Sequence, residues 1–387
     1  MTEKLYYKDS HLYEFSAKVA EIIEENGRKA IVLDKTAFFP EGGGQPADTG
    51  HIGDMFVFDV RENDGKIFHY TNDDINFIIG QEVECRLNAE QRFARMQAHS
   101  GEHIVSGVAH NLFGVENVGF HMIDLVMTVD FDKPLSKEQI TLIEKEANKV
   151  VVNNERISTE ILSAEKLRTL HYRSKLELTE NVRIVTIEGV DRCACCAPHV
   201  SMTGEIGIIK ILSCISHRGG VRLTLICGIK AFDDYCEKHR DIMCISDRLK
   251  VPNNQTPDGV FELENKLTDL KYKISHLKQR QYAYIYKSLT KSSDNIILFI
   301  EDFAPDELRE LAELCKKKTE KIFAVFSGDD ISGYAYVLAS ENKKLKALAK
   351  DFNAVLHARG GGREEMLQGR AAASAEEIKN FMQNLRY

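Results

Sequence analysis

Apolar residues along this chain change their spacing several times, and each change predicts a new element. Over 1–88 the apolar runs are short, β-branched and aromatic. "KAIVLDKTAFF" and "MFVFDV" are separated by glycine and aspartate turns, which predicts a β-rich, barrel-like subdomain. From 89 to 113 the spacing turns helical through Phe93, Met96, Ile104 and Val108, although Gly101 and Gly107 weaken the case for a helix. "LVMTVDFD" (125–132) reverts to strand. Residues 136–154 predict an amphipathic helix with Ser136 as its N-cap. "NVRIVTIEGV" (181–190) predicts a strand running into a cysteine-rich stretch, and 205–228 predicts two more around a glycine turn at 219–220.

A linker-like stretch, "KVPNNQTPDG" (250–259), comes next. Beyond it Val260, Leu263, Leu267, Leu270, Ile274 and Leu277 fall in alternating steps of three and four, a heptad seam. The seam fits a helix packed on its own protein and equally a homodimer through 260–277. The last part, 292–387, alternates strand-like "NIILFI", "KIFAVFSG" and "GYAYVLAS" with helical "PDELRELAELCKKK" and "KKLKALAKDFNAVL", an α/β pattern. The whole reads as an α+β chain in four parts: 1–88, β-rich with a glycine loop; 89–250, α/β; 251–291, helical and coiled-coil-like; and 292–387, α/β.

Length and composition narrow the picture. With 387 residues, two or three domains with real cores are expected. No run of about 18 apolar residues occurs, so no segment is expected to cross a membrane. The N-terminus lacks the apolar core of a secretory signal, and a cytoplasmic location is expected. A net charge of −8 argues against a broadly basic nucleic-acid binder but leaves room for a local basic patch. Nine cysteines, with Cys193, Cys195 and Cys196 clustered, read as thiols or metal ligands rather than a disulfide framework.

Candidate chemistry concentrates in two stretches. "HSGEH" (99–103) puts His99 and His103 four apart, on one face of a helix. "CACCAPHV" (193–200) places His199 four residues after Cys195. Together His99, His103, Cys195 and His199 offer the nitrogen and sulfur ligands that suit Zn(2+), so the 89–250 part is expected to carry a helix-borne metal site. The spacing alone leaves Cys193, Cys195 and Cys196 as rivals for the thiolate. Glu102 reads either as a general base or as a surface glutamate. A third stretch, "TAFFPEGGGQPADTG" (36–50), holds Gly42, Gly43 and Gly44, which permit close backbone approach, and Gln45, an amide with donor and acceptor capacity. Thr36 adds a hydroxyl able to tell one small side chain from another. HSGEH also matches H-x-x-E-H, a metallopeptidase pattern. Such a site would normally recruit a downstream carboxylate, where this chain offers cysteine and histidine.

In combination and order, "TAFFPEGGGQ", "HSGEH", "CCAPHV" and "TGEIG" resemble the editing domain of alanyl-tRNA synthetases and the free-standing AlaX editing proteins. "HARGGGREEMLQGRAA" (357–372) resembles the glycine-rich signature of the DHH-associated domain that ends those synthetases. The resemblance implies hydrolysis of alanine-specific tRNA mischarged with serine or glycine. It implies zinc on His99, His103, Cys195 and His199. Gln45 would line the amino-acid pocket beside Gly42, Gly43 and Gly44, and Thr36 would recognise the serine hydroxyl. The family's second ligand motif usually reads Cys-Gly-Gly-Thr-His; here Cys195 and His199 keep the spacing around Cys196, Ala197 and Pro198. Catalysis would fall to His99, His103, Gln45 and Glu102. tRNA would be held by Arg359, Gly360, Gly361, Gly362 and Arg363, within a basic cluster that includes 343–350 and Arg370. About 35 residues precede Thr36, which leaves no room for an ATP-dependent activation domain and predicts editing in trans without aminoacylation. The competing expectation is a non-enzymatic tRNA-binding module with a structural zinc.

Overall fold

The computed structural model describes residues 1–25, 28–174, 182–342 and 344–385. Asn181, which opens the strand expected at 181–190, and Lys343, which opens the basic stretch 343–350, lie outside the described residues. The chain is mixed α and β and divides into two compact units, 1–245 and 246–387.

The first unit begins with a seven-stranded sheet. In spatial order its strands are Met55–Val57, Gly50–Ile52, Glu82–Leu87, Glu14–Glu25, Arg28–Leu33, Lys66–Thr71 and Asp59–Asn63. Alternation drives its curvature: Val83, Cys85 and Leu87 point inward from one strand, and Ile67, His69 and Thr71 from another. Met55–Val57 packs back against Lys66–Thr71, so the sheet nearly closes into a barrel around Phe38, Phe39, Ile31 and Leu33.

Helix α1, Ala89–Phe113, follows at once. The Asn88 side chain caps it by accepting from Gln91 N, and left-handed Gly114 ends it. It runs unbroken through Gly101 and Gly107, which the sequence pattern counted against it. A Cβ on Gly107 would stand 2.4 Å from the Val190 carbonyl oxygen, so this glycine admits a neighbouring backbone. From Met96 to Ala109 every residue of α1 is buried, which erases the amphipathic contrast that sequence patterns detect.

Two sheets enclose α1. One is antiparallel, in the order Asn117–Ile123, Val126–Phe131, Gly220–Cys227, Ile209–His217. The other orders Ile157–Leu162, Val182–Ile187 and Asp191–Ala194. Helix α2, Lys137–Asn153, starts from a capping box of Ser136 and Gln139 and packs against α1. A single-turn helix α3, Ala164–Leu167, precedes helix α4, Gly228–Leu249, which the sequence pattern did not predict.

In the second unit, helix α5 spans Thr256–Ser288 and so absorbs the end of the expected linker. Pro257 stands in its first turn, where the missing N–H costs nothing. Val260, Leu263, Leu267, Leu270, Ile274 and Leu277 are all exposed. A five-stranded sheet then orders Ile296–Ile300, Phe323–Asp329, Gly333–Ala339, Met366–Ala371 and Arg359–Arg363. Only its first pair is parallel. Helix α6, Pro305–Cys315, covers one face with Leu308 and Leu311; α7, Leu348–Val355, and α8, Ala375–Asn384, cover the other with Phe352, Ile378 and Met382. The glycine-rich stretch 357–372, which carried no secondary-structure expectation, folds mostly as the hairpin of the last two strands.

Candidate metal centre

A helix enclosed on every side should carry apolar residues, yet α1 buries Gln97, His99, Ser100, Glu102, His103 and Ser106. Each has a specific partner, and two of them, His99 and His103, join Cys195 and His199 in one site. His99 and His103 lie a turn apart with ring centroids 5.4 Å from each other. The strand Asp191–Ala194 delivers the loop that holds Cys195 and His199. Cys195 Sγ lies 3.4 Å from His199 Nε2 and 3.6 Å from His99 Nε2. One ligand atom from each of His99, His103, Cys195 and His199 falls within 4.8 Å of all the others.

The fit to a metal ion rests on what the other face of each ring does. His99 Nδ1 donates to Gln45 Oε1 at 2.8 Å, His103 Nδ1 to Asp191 Oδ2 at 2.8 Å, and His199 Nδ1 to Ser100 Oγ at 3.0 Å. Outward bonds of this kind fix the tautomer and turn Nε2 toward a metal. Arg173 in turn grips Asp191 through two bonds of 2.7 and 2.8 Å. The set could therefore hold a metal ion. His103 is also grouped with Asp191 and Cys193, but Asp191 is already committed to His103 and Arg173.

Electrostatics separate the three rival cysteines. Burial raises the thiols of Cys193 and Cys196 to about 11 each. Burial acts the same way on Cys195, but His99 and His199 and hydrogen bonds from His103 and His199 hold it well below the usual thiol range. Of the three, Cys195 alone joins the four-residue cluster. Burial also opposes charge on Asp191, yet the bonds from His103 and Arg173 bring its carboxyl down to about 2. The turn after Cys195 is held without the family's glycines and threonine. Arg183 donates to the carbonyls of Cys195 at 2.9 Å and Ala197 at 2.8 Å.

The glycine loop reaches the site through a tight hairpin turn. Gly42 and Gln45 exchange backbone hydrogen bonds of 3.1 and 3.0 Å, and Gly43 and Gly44 have φ of 58° and 83°. A Cβ on Gly44 would come within 2.7 Å of the Phe120 carbonyl oxygen. The loop is tied to α1 by Asp48, which accepts from Phe39 N at 2.7 Å and Arg92 Nε at 2.8 Å. Arg92 also reaches the Ala37 and Ser10 carbonyls. Gln45 thus uses its oxygen on His99, while its Nε2 is buried with no partner among the described residues.

A cavity of about 530 Å³ opens on the cluster, lined by His99, His103 and Cys195 among others, with Gly43, Glu102 and Asn117. Glu102 is 4 % exposed, which overturns its reading as a surface residue. Thr36 is not among the lining residues. It is fully buried, its hydroxyl accepting from Phe38 N at 3.1 Å and meeting His69 Nε2 at 2.9 Å, while His69 Nδ1 donates to the Ile31 carbonyl. Arg359–Arg363 form an exposed edge strand in the second unit. Sequence reasoning missed Ser100, Asn117, Arg173, Arg183 and Asp191. An acid two residues before the first cysteine was a usable signal for Asp191; the two arginines are brought in only by folding.

The family described as "Threonyl and Alanyl tRNA synthetase second additional domain" matches residues 182–223, and "tRNA synthetases class II (A)" matches residues 2–91. In this chain the latter stretch folds as the near-closed sheet and the start of α1. The chain stands among relatives of alanyl-tRNA synthetases and their free-standing editing proteins. More narrowly, it is AlaX-like along its whole length: it is 29 % identical to the alanyl-tRNA editing protein AlaX-L of Pyrococcus horikoshii, across 98 % of this chain and 96 % of that one. The alanine–tRNA ligase of Pyrococcus furiosus is 30 % identical over 98 % of this chain and 44 % of its own length. That of Methanococcus maripaludis is 27 % identical over 97 % and 43 %. The chain thus spans less than half of either ligase.

Proposed function

We propose that this protein is a trans-editing hydrolase that deacylates alanine-specific tRNA mischarged with serine or glycine. The observation that carries the reading is the convergence of three outward-bonded imidazoles and one thiolate at a cavity in a chain that matches AlaX-L from end to end. We propose Zn(2+) as the ion, held by His99, His103, Cys195 and His199, a nitrogen and sulfur set of four. When bound, zinc supplies a Lewis acid that can polarise or orient an ester. The protein's own groups do the rest. Gln45, Asp191 and Ser100 hold the imidazoles in place, and the cavity receives the aminoacyl end. Gly43 and Gly44 let the loop come close to it, and Gln45, fully buried behind the cavity wall, acts through the orientation it gives His99.

Arg359 and Arg363, with Gly360, Gly361 and Gly362 between them, are proposed to hold tRNA phosphates from an exposed edge. The seam of α5 is proposed to pair two copies. No helix among the described residues is long and apolar enough to cross a membrane.

One observation favours a second reading. If a metal took all four residues it would leave no open position for a substrate, as in structural zinc sites, and the protein could then bind tRNA without cleaving it. The experiment that decides is single-turnover deacylation of seryl-tRNA by wild type and by Gln45→Ala, since a pure binder leaves the ester at its background rate. The peptidase reading has less support, because the remaining cluster members are a cysteine and a histidine rather than a carboxylate.

A further inference from the structure

Glu102 is buried against the cavity, and its two carboxylate oxygens have unequal surroundings. Oε1 accepts from Ser106 Oγ at 2.5 Å and from Asn117 Nδ2 at 2.6 Å. Asn117 is itself oriented, because its Oδ1 accepts from Gly119 N at 3.0 Å. No donor among the described residues reaches Oε2, and no lysine, arginine or histidine among them pairs with Glu102. The charged side chains nearby are committed elsewhere: Arg173 to Asp191, and Arg183 to the backbone of the Cys195 turn. Glu102 also stands outside the four-residue ligand cluster.

Arg173 acts on Glu102 only through space, and a buried carboxylate that no charged group among the described residues bonds is costly, so a ligand that brings a bonded charge relieves the cost. An aminoacyl ester carries one. Its α-ammonium is two bonds from the carbonyl carbon that must lie near the cluster. The geometry points to Glu102 Oε2 as the anchor for the α-ammonium of the substrate. Glu102 is then a specificity residue that selects esters of α-amino acids, in place of the general base its motif suggested. This rests on the editing function proposed above.

The test uses two non-hydrolysable probes on the full-length, metal-loaded protein. One is 3′-deoxyadenosine bearing serine through a 3′-amide; the other carries glyceric acid, with a hydroxyl in place of the ammonium. Calorimetry should show wild type binding the serine probe roughly ten- to hundredfold more tightly, the range of a charge-assisted hydrogen bond. Glu102→Gln should bring the two probes to within about threefold. That exchange keeps an oxygen for Ser106 and Asn117 and turns only the cavity-facing acceptor into a donor. Equal binding of both probes by wild type, or no binding of the serine probe, overturns the proposal without requiring any variant to fold. So does a Glu102→Gln protein that keeps the preference, the result expected of a general base, or one that loses both probes equally with its metal, as a structural role requires. Hydrolysis is scored separately. Wild type that prefers the serine probe yet leaves seryl-tRNA intact refutes the editing function and leaves the anchor standing.

Discussion

Asp191 never touches the cavity's contents in this account, yet it decides how His103 presents Nε2. Replacing it by asparagine keeps an acceptor but removes the charge that Arg173 grips. Asp191→Asn should weaken metal affinity by roughly ten- to a hundredfold, read by competition with a chelator of known affinity; unchanged affinity would remove Asp191 from the site. His69 supports a second prediction. Burial lowers it to about 4, with Ile31 offering only a partial counterweight, against about 6.5 unfolded. A depressed folded value means its stabilisation is complete above pH 6.5 and is lost as pH falls toward 4, a contribution of about 3 kcal/mol. Urea unfolding should show that decline, and His69→Gln should flatten it. A His69→Gln protein with the wild-type pH slope would contradict the assignment. The same geometry gives Thr36→Val a cost, because the Thr36 hydroxyl serves His69. The cluster itself was legible, since ligand types at fixed spacing survive as pattern. Its supports were not, because a serine inside α1 or an arginine at 173 has no local signature.

Elements were legible where one face is wet. Helix α2 and the strand Val126–Phe131 alternate as their environments do. Helix α1 was harder because its middle has no wet face and its glycines admit neighbours. In α5 the heptad seam is plain, but what covers it is set outside the helix. If two copies pair in parallel through 260–277, Lys266 faces Lys271 of the second copy, and Lys273 faces Lys278, which Glu307 already pairs in its own chain. Those like charges repel and are screened by salt. Self-association should therefore strengthen between 50 mM and 500 mM salt by sedimentation velocity. A dimer that dissociates as salt rises would assign the contact to ion pairs elsewhere.

Across the whole molecule, an acidic chain must hold an acidic partner, so the attraction has to be local. Arg359→Ala with Arg363→Ala should lower tRNA affinity and reduce the slope of log K against log salt by about one to two, while metal content stays at the wild-type level. An unchanged slope would place the phosphates elsewhere. The mixed α and β character followed from the sequence, because helical and strand periodicities both show along the chain. The near closure of the first sheet did not, since it depends on short strands whose partners lie far away in the chain.

The most direct test of the central claim is hydrolysis of a panel of aminoacyl-tRNAs, seryl-, glycyl- and alanyl-tRNA of the alanine acceptor among them, with metal measured on the same sample. About one zinc per chain is expected, with release of serine or glycine roughly a hundredfold faster than alanine. A protein that carries zinc and leaves all three esters at their background rate would contradict it.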